Sequence, residues 1–446
     1  MSSSSTHFPC LPLSEAFWFQ EGPGVRKWQF TNSGIKLLNV GNIEKQGKLN
    51  LAKTERHLSE EEVEKKYSHF LVDAGDLVIA SSGISFDDDG LLRTRGAFVE
   101  KHQLPLCLNT STIRFKAIEG VSNLCFLRFW LNGREFRSQI TKLVTGTAQQ
   151  NFGPSHLKAI KITLPPLEEQ KRIAEILDRA EELRSKRREA IAQLDTLSQS
   201  IFLEMFGDPL SNPNNFPIQK LGELCSRVID CPHSTPTYAT KITPYACVRS
   251  SDIQNSELIF SDVKYLELEE YKKRIERGVP QQGDVIAFPD LVTYTRRGTA
   301  LPCPYTSRYN VLLHLNRNRY IYCREGARFG NAALVTDDTP LICLGQRMML
   351  FRPETSKANG EFIWGYLSNP IAYHQAVREV GGSASPHINI RDIIAFQIPV
   401  PPLNRQCEFA QRISAVNKLK ASHRASLSEL DALFASLQHR AFRGEL

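Results

Sequence analysis

The residues able to do chemistry are scattered along this chain and do not assemble into a recognisable centre. No Gly-x-x-x-x-Gly-Lys is present to cradle nucleotide phosphates, and no Gly-x-Gly-x-x-Gly to seat a dinucleotide; GPG at Gly22–Gly24 is a lone turn. SNPIAY (Ser368–Tyr373) carries part of the Asn-Pro-Pro-aromatic tetrad of amino-methyltransferases. It lacks the second proline and lies inside a helical pattern, so it reads as a helix kink. Pro289-Asp290 has no Glu-x-Lys behind it to complete a metal-dependent nuclease centre. Asp87, Asp88 and Asp89 could hold a hard cation, although a solvated loop explains them as well. His156 and His387 stand near Gly/Ser loops without an assignable nucleophile. The ten cysteines include no Cys-x-x-Cys pair, which argues against structural zinc. MSSSSTHFPCLPL has no basic region followed by an apolar one, and no apolar run approaches a membrane span, so reduced thiols in a cytoplasm are expected.

What recurs instead is polar side chains suited to binding. LLRTRG supplies Arg93 and Arg95, with Arg114 downstream. CREGARFGN supplies Arg324 and Arg328, and GQRMM supplies Gln346 and Arg347. Two loops, KLVTGTAQQN (Lys142, Thr147, Gln149) and REVGGSASPH (Ser383), mix Gly, hydroxyls and amides ahead of a helix-like segment; Arg249 completes the set. Backbone donors and small hydroxyls in such loops suit phosphate, and Arg and Gln can read base edges bidentately. Ordinary surface turns would use the same residues. The net charge of +7 permits a polyanionic partner without requiring one.

The elements that must position these residues come in two copies. LPPLEEQKRIAEIL (Leu164–Leu177) returns 236 residues later as VPPLNRQCEFAQRI (Val400–Ile413). At the same offset LCLNTSTIRF (Leu106–Phe115) faces ICLGQRMMLF (Ile342–Phe351), and LDTLSQSIFLEMFGD (Leu194–Asp208) faces LDALFASLQHRAFRG (Leu430–Gly444). AGDLVIA (Ala74–Ala80) faces QGDVIAF (Gln282–Phe288) at an offset of 208, so the second copy holds 28 extra residues between these landmarks. The chain is a tandem duplication. GDLVIA, STIRF, GDVIAF and MMLFRP read as strands. Asn123–Val144 and Asn359–Val380 have helical spacing.

After each Pro-Pro, apolar residues fall at spacings of four and three. The first seam includes Ile173, Leu177, Ile191, Leu194 and Ile201; the second includes Ile413, Val416, Leu427, Leu430 and Leu437. A period of 3.5 kept this long predicts helix–helix supercoiling. Both seams turn polar in the middle, at Arg184 and Arg187 and at Lys420 and His423, either as solvated gaps or as register-setting pairs. The predicted fold is α+β: two similar strand-rich domains (1–163 and 209–399), each closing into its long helix (164–208 and 400–446). The helices are expected to pack as an antiparallel coiled coil with a pseudo-two-fold axis.

In these landmarks and their order the chain resembles the specificity subunit of type I restriction–modification systems along nearly its whole length. The resemblance implies a non-catalytic subunit whose two target-recognition domains each read half of a split double-stranded DNA site. It further implies that the long helices form the spacer and dock two methyltransferase subunits, and that two restriction subunits complete the nuclease. S-adenosylmethionine, ATP and magnesium would belong to those partners, with no cofactor in this chain. One departure is the long segment between Ile286 and Arg324, where the extra residues fall within about 287–322. The competing reading is a coiled-coil protein–protein adaptor without DNA readout.

Overall fold

A computed structural model describes residues 8–44, 47–87, 89–144, 151–287, 332–336, 339–346, 348–369, 372 and 390–446. The chain divides into two compact units, one of Met1–Arg187 with Ser426–Leu446 and the other of Arg188–Ala425.

In the first unit, Leu77–Ala80 is apolar at every position because both of its faces are covered. It lies between Thr112–Ala117 and Gly96–Phe98 in an antiparallel four-stranded sheet whose other edge is Phe17–Glu21. A second sheet places Ile35–Leu38 between His57–Leu58, antiparallel, and Leu106–Leu108, parallel. The second unit repeats this order. Cys225–Asp230, Met349–Pro353, Val285–Ala287 and Ala332–Leu334 form the four-stranded sheet, and Lys264–Tyr265, Ala246–Val248 and Ile342–Leu344 the three-stranded one. All four segments expected as strands are strands.

The helical stretch expected over Asn123–Val144 is two helices, Leu124–Asn132 and Arg134–Leu143. The break falls at Gly133, where a Cβ would sit 3.2 Å from the Phe442 ring and 3.1 Å from the Trp130 carbonyl. A side chain there would press on the Phe442 ring and the Trp130 carbonyl.

The long helices run Leu167–Phe206 and Leu403–Phe442, 40 residues each, and both start directly after the Pro-Pro pairs. The first ends at Gly207, whose φ of +75° suits a residue without a side chain. The repeated Gln explains itself. Gln170 is fully buried; its Oε1 accepts from the Asn123 N–H, and its Nε2 donates to Val121 and Pro165 carbonyls. Gln406 does the same with Asn359, Lys357 and Pro401. Each Gln ties the start of a long helix to the N-terminus of the helix that precedes it in its own domain.

The seam residues are all buried or half-buried, whereas Leu183, Leu197, Leu419 and Leu433, off the seam, are exposed. In the first unit, Ile173 and Leu177 share a core with Phe434, Leu437, Ala441 and Phe442. In the second, Ile413 and Val416 share one with Ile201, Phe202, Met205 and Phe206. Each core thus takes in the start of one long helix and the end of the other. Among the described residues no helix is long and apolar enough to cross a membrane.

Candidate nucleic-acid interface

The Gly-Asp landmark of each repeat builds a turn. Asp76 accepts from the Asp73 N–H at 2.9 Å, and Asp284 from the Gln281 N–H at 2.7 Å. Both carboxylates are buried and meet a cation of the neighbouring strand. Arg352 donates to the two oxygens of Asp284 at 2.9 and 2.8 Å, and Arg114 lies 3.6 Å from Asp76. Burial pushes the Asp76 carboxyl up, against the pull of Lys116 and Arg114. This corrects one candidate. Arg114 is 6% exposed, donates to the carbonyls of Leu71 and His69 and to Gln20, and lies under the Trp18 indole. Its guanidinium faces inward between strands and cannot reach a ligand.

Arg93 and Arg95 are placed differently. Asp87 starts a hairpin turn: Leu91 N–H donates to Asp87 Oδ1 at 2.8 Å, Gly90 has φ +70°, and Arg93 N–H donates to Ser85 O at 2.8 Å. Asp87 pairs with Arg137, which holds its carboxyl below the usual range, so it serves as a turn cap. Arg137 Nε also donates to Leu92 O, and Thr94 Oγ1 to Leu131 O, clamping the hairpin onto the two helices. Arg93 and Arg95, two apart on extended backbone, then line an open cleft of about 510 Å³ with Gly83, Ser85 and Asn132. Among the described residues no acid pairs with either guanidinium. Gly83 N–H donates to Asn151 Oδ1 and Phe152 N–H to Ser81 O, which holds Asn151 and Phe152 beside this cleft. Lys142 is exposed on the last turn of the helix Arg134–Leu143. His156 is a cap, its Nδ1 accepting from Gly153 N–H at 3.2 Å.

In the second unit the parallel strands Ala246–Val248 and Ile342–Leu344 end in register, which sets Arg249 against Gly345, one residue before Gln346. Gly345 allows this approach: a Cβ there would stand 2.7 Å from Val248 O. Arg249 is gripped by both oxygens of Asp252, which raises its pKa, and by Asp262 O; Gln346 donates to His233 O and Thr235. Thr147, Gln149, Arg324, Arg328, Arg347 and Ser383, the segment 287–322 apart from Ala287, Pro289-Asp290, Asp88 and His387 lie outside the described residues.

Of the polar mid-seam residues, Arg184 and Lys420 form ion pairs. Arg184 Nε lies 2.6 Å from Asp431 in the first unit, and Lys420 lies 2.8 Å from Asp195 in the second. The two pairs are the same pair, displaced by the repeat length in both members. Lys420, 2% exposed, also reaches Glu257 at 3.2 Å, where Arg424 joins it. Sequence reasoning passed over one further run, VRKWQF, although cations beside an aromatic residue were its signal.

Two α+β domains of the same sheet topology, each with basic residues on loops at a strand end, give the described residues a duplicated design. The family model for the type I restriction–modification DNA specificity domain matches residues 30–193 and 309–432, and the chain belongs to that family. Among curated relatives, the MjaVIII type I restriction enzyme specificity subunit of Methanocaldococcus jannaschii is 20% identical over 76% of this chain and 74% of its own length. The MjaX specificity subunit of the same organism is 22% identical over 67% of this chain; the match spans 62% of that relative. Of solved structures, the S subunit of a type I system from M. genitalium aligns over 99% of this chain and 98% of its own, with 13% identity and a TM-score of 0.51. A chain from a study of type I system assembly and conformational transition aligns over 99% of both chains, with 18% identity and a TM-score of 0.51. These two structures share the fold.

Proposed function

We propose that this chain is the DNA-reading specificity subunit of a type I restriction–modification complex, itself neither methylating nor cleaving DNA. Its two strand-rich domains, within 1–163 and 209–399, each read one half of a split duplex target. The long helices, 164–208 and 400–446, form an antiparallel coiled-coil spacer between them about a pseudo-two-fold axis. The assembly holds two methyltransferase and two restriction subunits in the cytoplasm, with S-adenosylmethionine, ATP and magnesium on those partners. The observation that carries the reading is the sheet topology repeated in both units of a chain that belongs to the DNA specificity family. The equivalent ion pairs Arg184–Asp431 and Lys420–Asp195 support the symmetric spacer.

The test separates base identity from gap length. Four residues inserted after Ala192, and four at the equivalent place in the second helix, lengthen each helix by roughly 6 Å, close to two base-pair steps. Sequencing of modified adenines in cells carrying the complex should give a split target, and the lengthened variant should give the same half-sites across a longer gap. A contiguous target, or an active variant with an unchanged gap, would refute the reading.

A further inference from the structure

The segment Arg26-Lys27-Trp28-Gln29-Phe30 makes a turn that the cleft of Arg93 and Arg95 does not include. Trp28 is 79% exposed, against 44% for Trp18, which carries the Arg114 guanidinium on one face, while Trp130 and Trp364 are buried. Yet the turn that bears it is rigid. Gln29, 7% exposed, accepts from the Arg26 N–H at 2.7 Å and donates to Glu62 at 2.7 Å and Tyr67 at 2.9 Å. The Thr31 N–H donates to His57 O at 3.0 Å, which lays the turn beside Arg56. Arg56 stands 5.2 Å from the centre of the Phe30 ring. Arg26, Lys27 and Arg56 are exposed, and among the described residues no acid pairs with them. Glu62 is occupied by Gln29 and Lys66.

Three cations and a solvent-facing indole on a braced turn match a polyanion that also offers apolar sugar surface. We propose that this turn grips the sugar–phosphate backbone of duplex DNA, with Arg26, Lys27 and Arg56 on phosphates and the Trp28 indole against the adjoining sugar and base edges. Because Gln29 orders the turn in advance, little freedom is lost on contact. Contacts to the backbone position a protein without carrying sequence information, so this element adds affinity equally for target and non-target duplex. The proposal rests on the reading of the chain as a DNA-reading subunit and adds a contact surface to it.

The experiment uses the full chain assembled with its methylating subunits, titrated with labelled mixed-sequence duplex and with target-bearing duplex. Trp28→Ala should weaken both affinities by the same factor, about tenfold, or about 1.4 kcal/mol. Arg26→Gln with Lys27→Gln should lower the slope of log affinity against log salt by about 2. Trp28→Phe, which keeps an aromatic ring, should lose most of the tryptophan quenching that DNA causes in the wild type. Equal quenching in Trp28→Phe together with unmoved affinity in Trp28→Ala overturns the proposal. So does loss of methyltransferase assembly with unchanged DNA affinity, which would make the turn a protein-docking surface. A wild-type complex that binds no DNA would instead overturn the reading of the whole chain.

Discussion

Arg114 and Arg95 are the same residue type in the same domain and do opposite work. Arg114 lies across from Gln20 and Val78 in the sheet register, so its guanidinium points between packed strands, where carbonyls and Asp76 must satisfy it. Arg95 lies at a hairpin edge and faces a cleft. Arg114→Ala should therefore cost about 3–5 kcal/mol, the range for removing one partner of a buried pair. Arg93→Ala and Arg95→Ala should each stay within about 0.5 kcal/mol, as surface changes do. Urea unfolding of the three variants measures this order. In DNA titrations the order should reverse, Arg95→Ala losing affinity while still folded. A folded Arg114→Ala with a specific binding defect would return Arg114 to the interface.

At the scale of elements, the long helices show how much periodicity can specify. Spacing alone marks the seam, and the structure buries or half-buries every seam residue. Spacing does not say which acid meets which base, because that depends on helix direction and register. Lys420 lies on its seam as a nearly inaccessible ammonium between Asp195 and Glu257. Lys420→Met should cost about 1–3 kcal/mol, since the half-buried carboxylates of Asp195 and Glu257 lose the ammonium and only Glu257 keeps a cation, Arg424. Adding Asp195→Leu should recover part of the loss, because the replacement removes one of them. A double-mutant cycle in urea measures the coupling, and additive losses would show that Lys420 and Asp195 do not act as a pair.

For the whole molecule, the compact units cut across the repeats. Ser426–Leu446 belongs to the first unit, where Phe434, Leu437 and Phe442 pack with Phe126 and Phe129. Deleting 426–446 should therefore expose the first domain to proteolysis and hydrogen exchange while the second, at Arg188–Ala425, stays protected. Equal protection of both would mean that the first core closes without this segment. A transplant of residues 1–160 from a relative must likewise keep the positions that meet Phe434 and Phe442.

By itself the sequence determined the duplication, the helix starts at Pro-Pro, the seam period and the strands around each Gly-Asp. All are local patterns, written by backbone sterics and by which face of an element is apolar. The offset between copies also located the extra residues. Only the tertiary structure decided that Arg114 is inside and Arg95 outside, that Gly133 breaks a helix to admit Phe442, and that Gln170 and Gln406 are internal ties. It also paired Arg184 with Asp431 and presented Trp28 on a braced turn. These depend on segments far apart in the chain, and a polar side chain carries no local sign of the partner that burial will bring to it. The same guanidinium is a surface contact or a buried strut according to what a distant strand places opposite.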